Sequence, residues 1–131
     1  MPLCPIKPYI LGIMVKLGAV DPCEQVWQLP TRLHPEESDQ WLTVSELLES
    51  SLFERLIGQM SWICLCNNLK NYRRQSLVAR DGEGYRYDPY RFQVTEVGVE
   101  RLLYFERSTH EEKQLRKEYR KAMMTERVGV V

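Results

Sequence analysis

Residues 67–74 (NNLKNYRR) pack amides and cations into two turns' worth of chain. In a helix, Asn67, Asn68 and Asn71 share one face and Arg74 extends it, because positions three and four apart are neighbours there. A primary amide donates and accepts at once, which is the pattern adenine shows in the major groove. A guanidinium matches the two acceptors of guanine, and each good pair is worth about 1–3 kcal/mol of discrimination. Lys70 and Arg73, with Arg86 and Arg91 further along, are cations suited to phosphate oxygens. The chemistry is recognition of double-stranded DNA, in which no covalent bond is made or broken. The competing reading is an ordinary solvated helix face. For Arg86, flanked by Tyr85 and Tyr87, it is ordinary cross-strand packing. Two features weigh against DNA. Asp81, Glu83 and Asp88 stand near Arg86 and would repel phosphates. Gln59, Met60 and Ser61, where base reading concentrates at a helix start, bring no positive charge.

Other reactive side chains are few: Cys4, Cys23, Cys64, Cys66, His34 and His110. Structural zinc takes ligands that converge tetrahedrally, usually from C-x(2–4)-C pairs. Here the close pair is Cys64-x-Cys66 inside a predicted helix, where side chains two apart point about 200° around the axis. The thiols read as buried or incidental, with no metal and no cofactor. A Cys4–Cys23 disulfide fits only an oxidising or hyperthermophilic setting. Both histidines fall in polar loop or cap settings, and no glycine-rich phosphate loop or nucleophile motif is present, so an enzyme is not expected.

The formal net charge of zero excludes a protein that coats nucleic acid indiscriminately. The average hides an asymmetry: residues 1–60 carry 4 basic against 8 acidic side chains, and residues 61–131 carry 14 against 10. The second half is the one suited to an anionic partner. The most apolar N-terminal stretch, residues 9–20, is shorter than the ~20 residues of a spanning helix and is broken by Lys16. No membrane segment or signal peptide is expected, which places the chain inside the cell, in the cytoplasm.

At 131 residues the chain fits a single domain. Residues 1–41 read as an extended proline-rich start, a helix over 8–17 with one apolar stripe (Ile10, Met14, Leu17, with Ile13 alongside) stopped by Gly18, a short helical piece at 24–29, and an exposed acidic loop over 30–40. Residues 42–107 are the core. Thr43 or Ser45 caps a helix, with Glu46 completing a capping box after Thr43. Val44, Leu47, Leu48, Leu52, Leu56 and Ile57 follow at helical spacing, and Gly58 interrupts. A second helix fits 59–75, burying Trp62, Leu65, Cys66, Leu69 and Tyr72. Residues 77–80 read as a strand, 81–84 (DGEG) as a turn, and 90–94 as a return strand, after which Thr95 caps another helix. Residues 108–131 hold a further helix, over 111–126, started by Ser108 or Thr109 and carrying a thin stripe of Leu115, Tyr119, Ala122 and Met123. The fold class is mainly α with a small β-hairpin, an α+β chain in which a hairpin closes a helix-turn-helix.

In this order, LTVSELLES, NLKNYRRQSLVARD and YRFQVTEVGVERLL resemble the winged helix-turn-helix superfamily, particularly the small bacterial and archaeal regulators of the MarR and ArsR kind. The sharpest match is the junction from second wing strand to helix, x-L-T-x-x-G-x-x-x-L, present as residues 93–102 with Val94, Thr95, Gly98 and Leu102 at the key places. Val94 would end the strand facing the core, Gly98 would let the helix lie close to it, and Leu102 would seal the core one turn on. Ser76 stands where the family has glycine, and residues 45–77 run a few positions longer than its norm. The resemblance implies a sequence-specific transcriptional regulator with recognition helix 59–75 in the major groove and wing 77–94 on the backbone. It also implies a homodimer joined through the extra helices at both ends. Winged helices also serve as protein-docking modules, so that alternative stands beside it.

Overall fold

A computed structural model of the chain describes residues 6–130, with side chains described through residue 123. The described residues form helices α1 (Ile6–Lys16), α2 (Val44–Glu49), α3 (Ser51–Leu56), α4 (Trp62–Arg74) and α5 (Glu96–Val130), and strands β1 (Leu42–Thr43), β2 (Val78–Asp81) and β3 (Arg91–Val94). Two 3₁₀ turns, Glu24–Gln28 and Thr31–Leu33, lie between α1 and β1. The expected α+β class holds. Of the extended start expected over residues 1–8, residues 1–5, with Pro2, Pro5 and Cys4, lie outside the described residues, and so does any Cys4–Cys23 bridge; residues 6–8 are helical.

The first helix departs from its expected role. It already includes Ile6, Lys7 and Pro8, and all six residues 10–15 are buried, so its middle has no polar side. A helix apolar all round is enclosed by its neighbours rather than laid on a surface. It packs against α3, α5 and β3 and is therefore the centre of the core, not a peripheral arm. Its end follows from Gly18, whose φ of 90° places it in the left-handed region. There the Gly18 N–H donates to Val15 O (2.9 Å) and the Ala19 N–H to Met14 O (2.8 Å), a Schellman closure.

Around this helix the capping signals act locally, as expected. Thr43 Oγ1 accepts the Glu46 N–H and Glu46 Oε1 accepts the Thr43 N–H, both at 3.1 Å, so Thr43 rather than Ser45 starts α2. The predicted long helix breaks at Ser50, whose ψ of 130° is extended, and restarts as α3, with Phe53 buried and Leu56 left exposed. The next helix begins at Trp62, later than expected, because Ser61 Oγ accepts the Cys64 N–H (3.1 Å). Leu65, Leu69 and Tyr72 are buried as their spacing predicts. Trp62 is not: it is 51% exposed, because periodicity gives a direction and no element waits at the first turn to receive the ring.

At the end of α4 the same Schellman closure recurs without glycine. Ser76 adopts φ 63°, its N–H donates to Arg73 O (3.0 Å), and the Leu77 N–H donates to Tyr72 O (2.9 Å). The left-handed position is thus kept with a serine. Thr95 Oγ1 holds it from outside by donating to Ser76 O at 2.6 Å. A left-handed non-glycine residue costs about 1–2 kcal/mol. Ser76→Gly should therefore stabilise the protein by about 1 kcal/mol in urea unfolding, since the bond from Thr95 goes to a backbone oxygen that glycine keeps. A loss of stability would show that the serine side chain matters more than its backbone.

The sheet has the order β1-β3-β2, all antiparallel, with Val78↔Val94 and Asp81↔Arg91 at the ends of the expected hairpin and Leu42↔Phe92 joining β1. Strand β1, two residues long, has no periodicity and was not expected. Val20 extends the same edge: the Val94 N–H donates to Ala19 O and the Asp21 N–H to Val94 O, each at 2.8 Å. The alternation predicted for β3 fails at Gln93, which is buried because its amide donates to Asp39 Oδ1 and Gln40 O, both at 3.1 Å. The acidic loop is thereby pinned to the sheet rather than free.

Thr95 caps α5 as expected, its Oγ1 accepting the Gly98 N–H at 3.1 Å. The close approach at Gly98 is real, since a Cβ there would overlap Leu77 O and lie 2.7 Å from Val94 Cγ1. The expected second start at Ser108 or Thr109 is absent: α5 runs unbroken from Glu96 to Val130. Serine and threonine cap only where the chain enters a helix, and here the preceding turn is already helical, anchored by buried Leu102 and Leu103.

Candidate nucleic-acid interface

With Leu65, Leu69 and Tyr72 locked inward, the outer face of α4 is determined. Asn67, Lys70, Asn71 and Arg74 are all exposed at i, i+3, i+4 and i+7, which makes one continuous stripe. Arg73 is exposed to one side of it. Among the described residues, Lys70, Arg73, Arg74 and Arg86 make no ion pair.

Asn68 does not belong to the stripe. It is half-buried; its Nδ2 donates to Cys64 O at 2.8 Å, and its Oδ1 accepts from the Tyr72 hydroxyl at 3.4 Å. Those bonds engage one amide hydrogen and the amide oxygen, which sets Asn68 apart from the free amides of Asn67 and Asn71. Arg91 is also engaged: its guanidinium lies 3.5 Å from Asp88 and 3.7 Å from Asp81, so unlike Arg86 it is ion-paired. The pairing cuts both ways, because its one positive charge also offsets part of the negative charge expected to repel DNA at the hairpin.

One contributor was not legible locally. Lys7 Nζ donates to Gln75 Oε1 at 2.8 Å and lies 5.8 Å from the Tyr72 ring centre, tying α1 to the end of α4. Burial, and secondarily the nearby Arg101, lowers the Lys7 pKa. These partners are 68 positions apart, so no spacing in the chain announces them.

The hairpin between β2 and β3 is shaped by Tyr90. Its ring lies against Gly84, where a Cβ would sit 2.7 Å from Cε2, and the Arg80 guanidinium covers it at 4.0 Å. Arg86 sits at the exposed tip. It is not sandwiched between its neighbours, because Tyr85 and Tyr87 stack on each other, with ring centres 5.7 Å apart and planes at 18°. At the other end of the surface, the first turn of α4 presents Trp62, which was expected on the buried face, and Ile63, the latter 71% exposed.

The remaining candidates do other things. Among the described residues, no group of three or more His, Cys, Asp or Glu side chains could hold a metal. Cys23, Cys64 and Cys66 are free thiols, and burial pushes Cys23 and Cys66 up, away from the thiolate form. His34 Nε2 donates to Leu29 O at 2.8 Å and packs edge-on against Trp27. Among the described residues no helix is long and apolar enough to cross a membrane. Comparison with protein-family models, with curated proteins and with solved structures gives no match to this chain.

Proposed function

We propose that this chain is a winged helix-turn-helix protein that binds double-stranded DNA inside the cell as a homodimer and regulates transcription. In this reading α4 lies in the major groove and the β2–β3 hairpin on the neighbouring backbone. The observation that carries it is the unpaired stripe Asn67–Lys70–Asn71–Arg74, held outward by a core-locked inner face and followed directly by a hairpin with a free Arg86. Supporting it are the succession α2, α3, α4, hairpin, α5, with β1 as third strand, and the Thr95–Gly98 junction.

The homodimer belongs to α5. Every residue from 109 to 123 is exposed, so over 20 Å of helix, at 1.5 Å per residue, stands clear of the body. A helix of that length is marginal alone in water. Leu115 (64% exposed), Tyr119 and Met123 recur every four residues along it and give a second copy an apolar seam. The N-terminal helix is not part of this interface, being enclosed in the core. The same seam, with Trp62 and Ile63, favours the alternative of a docking module for another protein.

Fluorescence anisotropy against duplex pools, over a salt series, tests the choice. Binding should weaken as salt rises, with two chains per duplex on the selected site. The double variant Asn71→Ala, Arg74→Ala should lose about 10- to 100-fold in affinity for that site with its thermal transition unchanged, whereas Asn68→Ala should leave affinity unaltered. Absence of binding to any duplex at low salt would reject DNA and leave the docking module.

A further inference from the structure

The hairpin tip holds more than duplex recognition needs. Tyr87 is 86% exposed and Tyr85 54%, and neither belongs to the hydrophobic core. We infer that Tyr85 and Tyr87 are a stacking platform for unpaired nucleobases, so that the hairpin engages DNA whose strands are open beside the site that α4 reads. This rests on the DNA-binding reading above and adds a second ligand form to it.

The backbone presenting the rings is fixed. The Asp88 N–H donates to Tyr85 O (2.9 Å), the Tyr85 and Gly84 N–H groups donate to Asp88 O (3.1 and 3.0 Å), and the Glu83 N–H donates to Asp88 Oδ2 (3.1 Å). Arg86 and Tyr87 occupy the two central positions of this turn, and both are exposed. A tip ordered in advance loses little freedom on binding.

The ring geometry selects the ligand. The two rings already form a short column, and the free face of Tyr87 is where a third planar group continues it. Bases inside a duplex are covered on both faces by their neighbours. Only an unpaired or extruded base has a face to offer, and aromatic side chains take such bases with little sequence preference.

Charge agrees with that choice. Over 80–91 Arg80, Arg86 and Arg91 balance Asp81, Glu83 and Asp88. Arg91 pairs with both Asp81 and Asp88, Arg80 lies over Tyr90, and Arg86 is exposed without an ion pair, leaving Glu83 as the tip's one carboxylate outside an ion pair among the described residues. The segment 82–90 (GEGYRYDPY) has no Ala, Val, Leu, Ile or Met for a protein core to meet. Rings interleaved with arginine are the composition that binds single strands.

The test compares a blunt duplex, the same duplex with a short unpaired bulge carrying 2-aminopurine, and an oligothymidylate. Wild-type protein should bind the bulged duplex about 5- to 100-fold more tightly than the blunt one and quench the 2-aminopurine. The double variant Tyr85→Ala, Tyr87→Ala should lose that excess and the quenching while keeping blunt-duplex affinity within about twofold, and Tyr87→Trp should keep both. Equal binding of blunt and bulged duplexes, or an excess that survives the double substitution, overturns the platform and leaves duplex recognition standing. Oligothymidylate binding that depends on the tyrosines, without duplex binding, sustains the platform and rejects the duplex reading. Binding to none of the three rejects both.

Discussion

Gly98→Ala is expected to lower the unfolding free energy by about 3 kcal/mol, at the upper end of overpacking effects. Elsewhere in a helix the same change gains close to 1 kcal/mol, because alanine is the better helix former. The sign reverses here because the added methyl meets backbone: it would overlap Leu77 O and press on Val94 Cγ1 at 2.7 Å. Leu77 O cannot retreat freely, since it accepts the Thr95 N–H at 3.0 Å, and the neighbouring Ser76 O is held by Thr95 Oγ1. Relief therefore means lifting α5 off the hairpin, with Val99 and Leu102 on its buried face. Urea unfolding measures it. Unchanged or increased stability would mean that the helix does not lie against the strand as closely as this junction requires.

Leu69→Ala is expected to cost about 2–5 kcal/mol, the range for a fully buried leucine whose cavity only partly collapses. Leu69 is completely buried and sits one turn from both Leu65 and Tyr72 on the inner face of α4. Its chain neighbour Lys70 is exposed on the stripe, so two adjacent positions should respond oppositely. Alanine at 69 should lower the melting temperature, and alanine at 70 should leave it unchanged and flatten the salt dependence of DNA binding by about one unit of slope. A loss below about half a kcal/mol at 69 would place that side chain in solvent and rotate the proposed DNA face with it.

The comparison of chain and fold divides by the range of the forces involved. The capping box at Thr43 and Glu46, the cap at Thr95 and the inward phase of Leu65, Leu69 and Tyr72 were all readable, because each is decided by neighbours within about four residues. The turn expected over 81–84 instead closes at Tyr85 and Asp88, with Asp81 inside β2. The stripe of Asn67, Lys70, Asn71 and Arg74 followed from that phase. The local bonds of Asn68 were not readable because helical position gives a direction, and its bonds to Cys64 O and the Tyr72 hydroxyl depend on how the side chain turns back. The ion pairs of Arg91 were not readable because its carboxylate partners come from a register and a turn.

Residue types and spacing alone determined that Thr43 and Thr95 cap helices, that a hairpin follows α4 and which face of α4 is apolar, since backbone hydrogen bonding and burial act over a single turn. Tertiary packing decided the rest. It enclosed α1 on all sides, made a strand of Leu42 and Thr43 by offering them the edge of β3, and held Ser76 left-handed through the bond from Thr95. Each of these conformations is unfavourable or undetermined in an isolated segment. Partners more than a dozen residues away supply the bonds that select it, and such partners exist only once the chain has closed on itself.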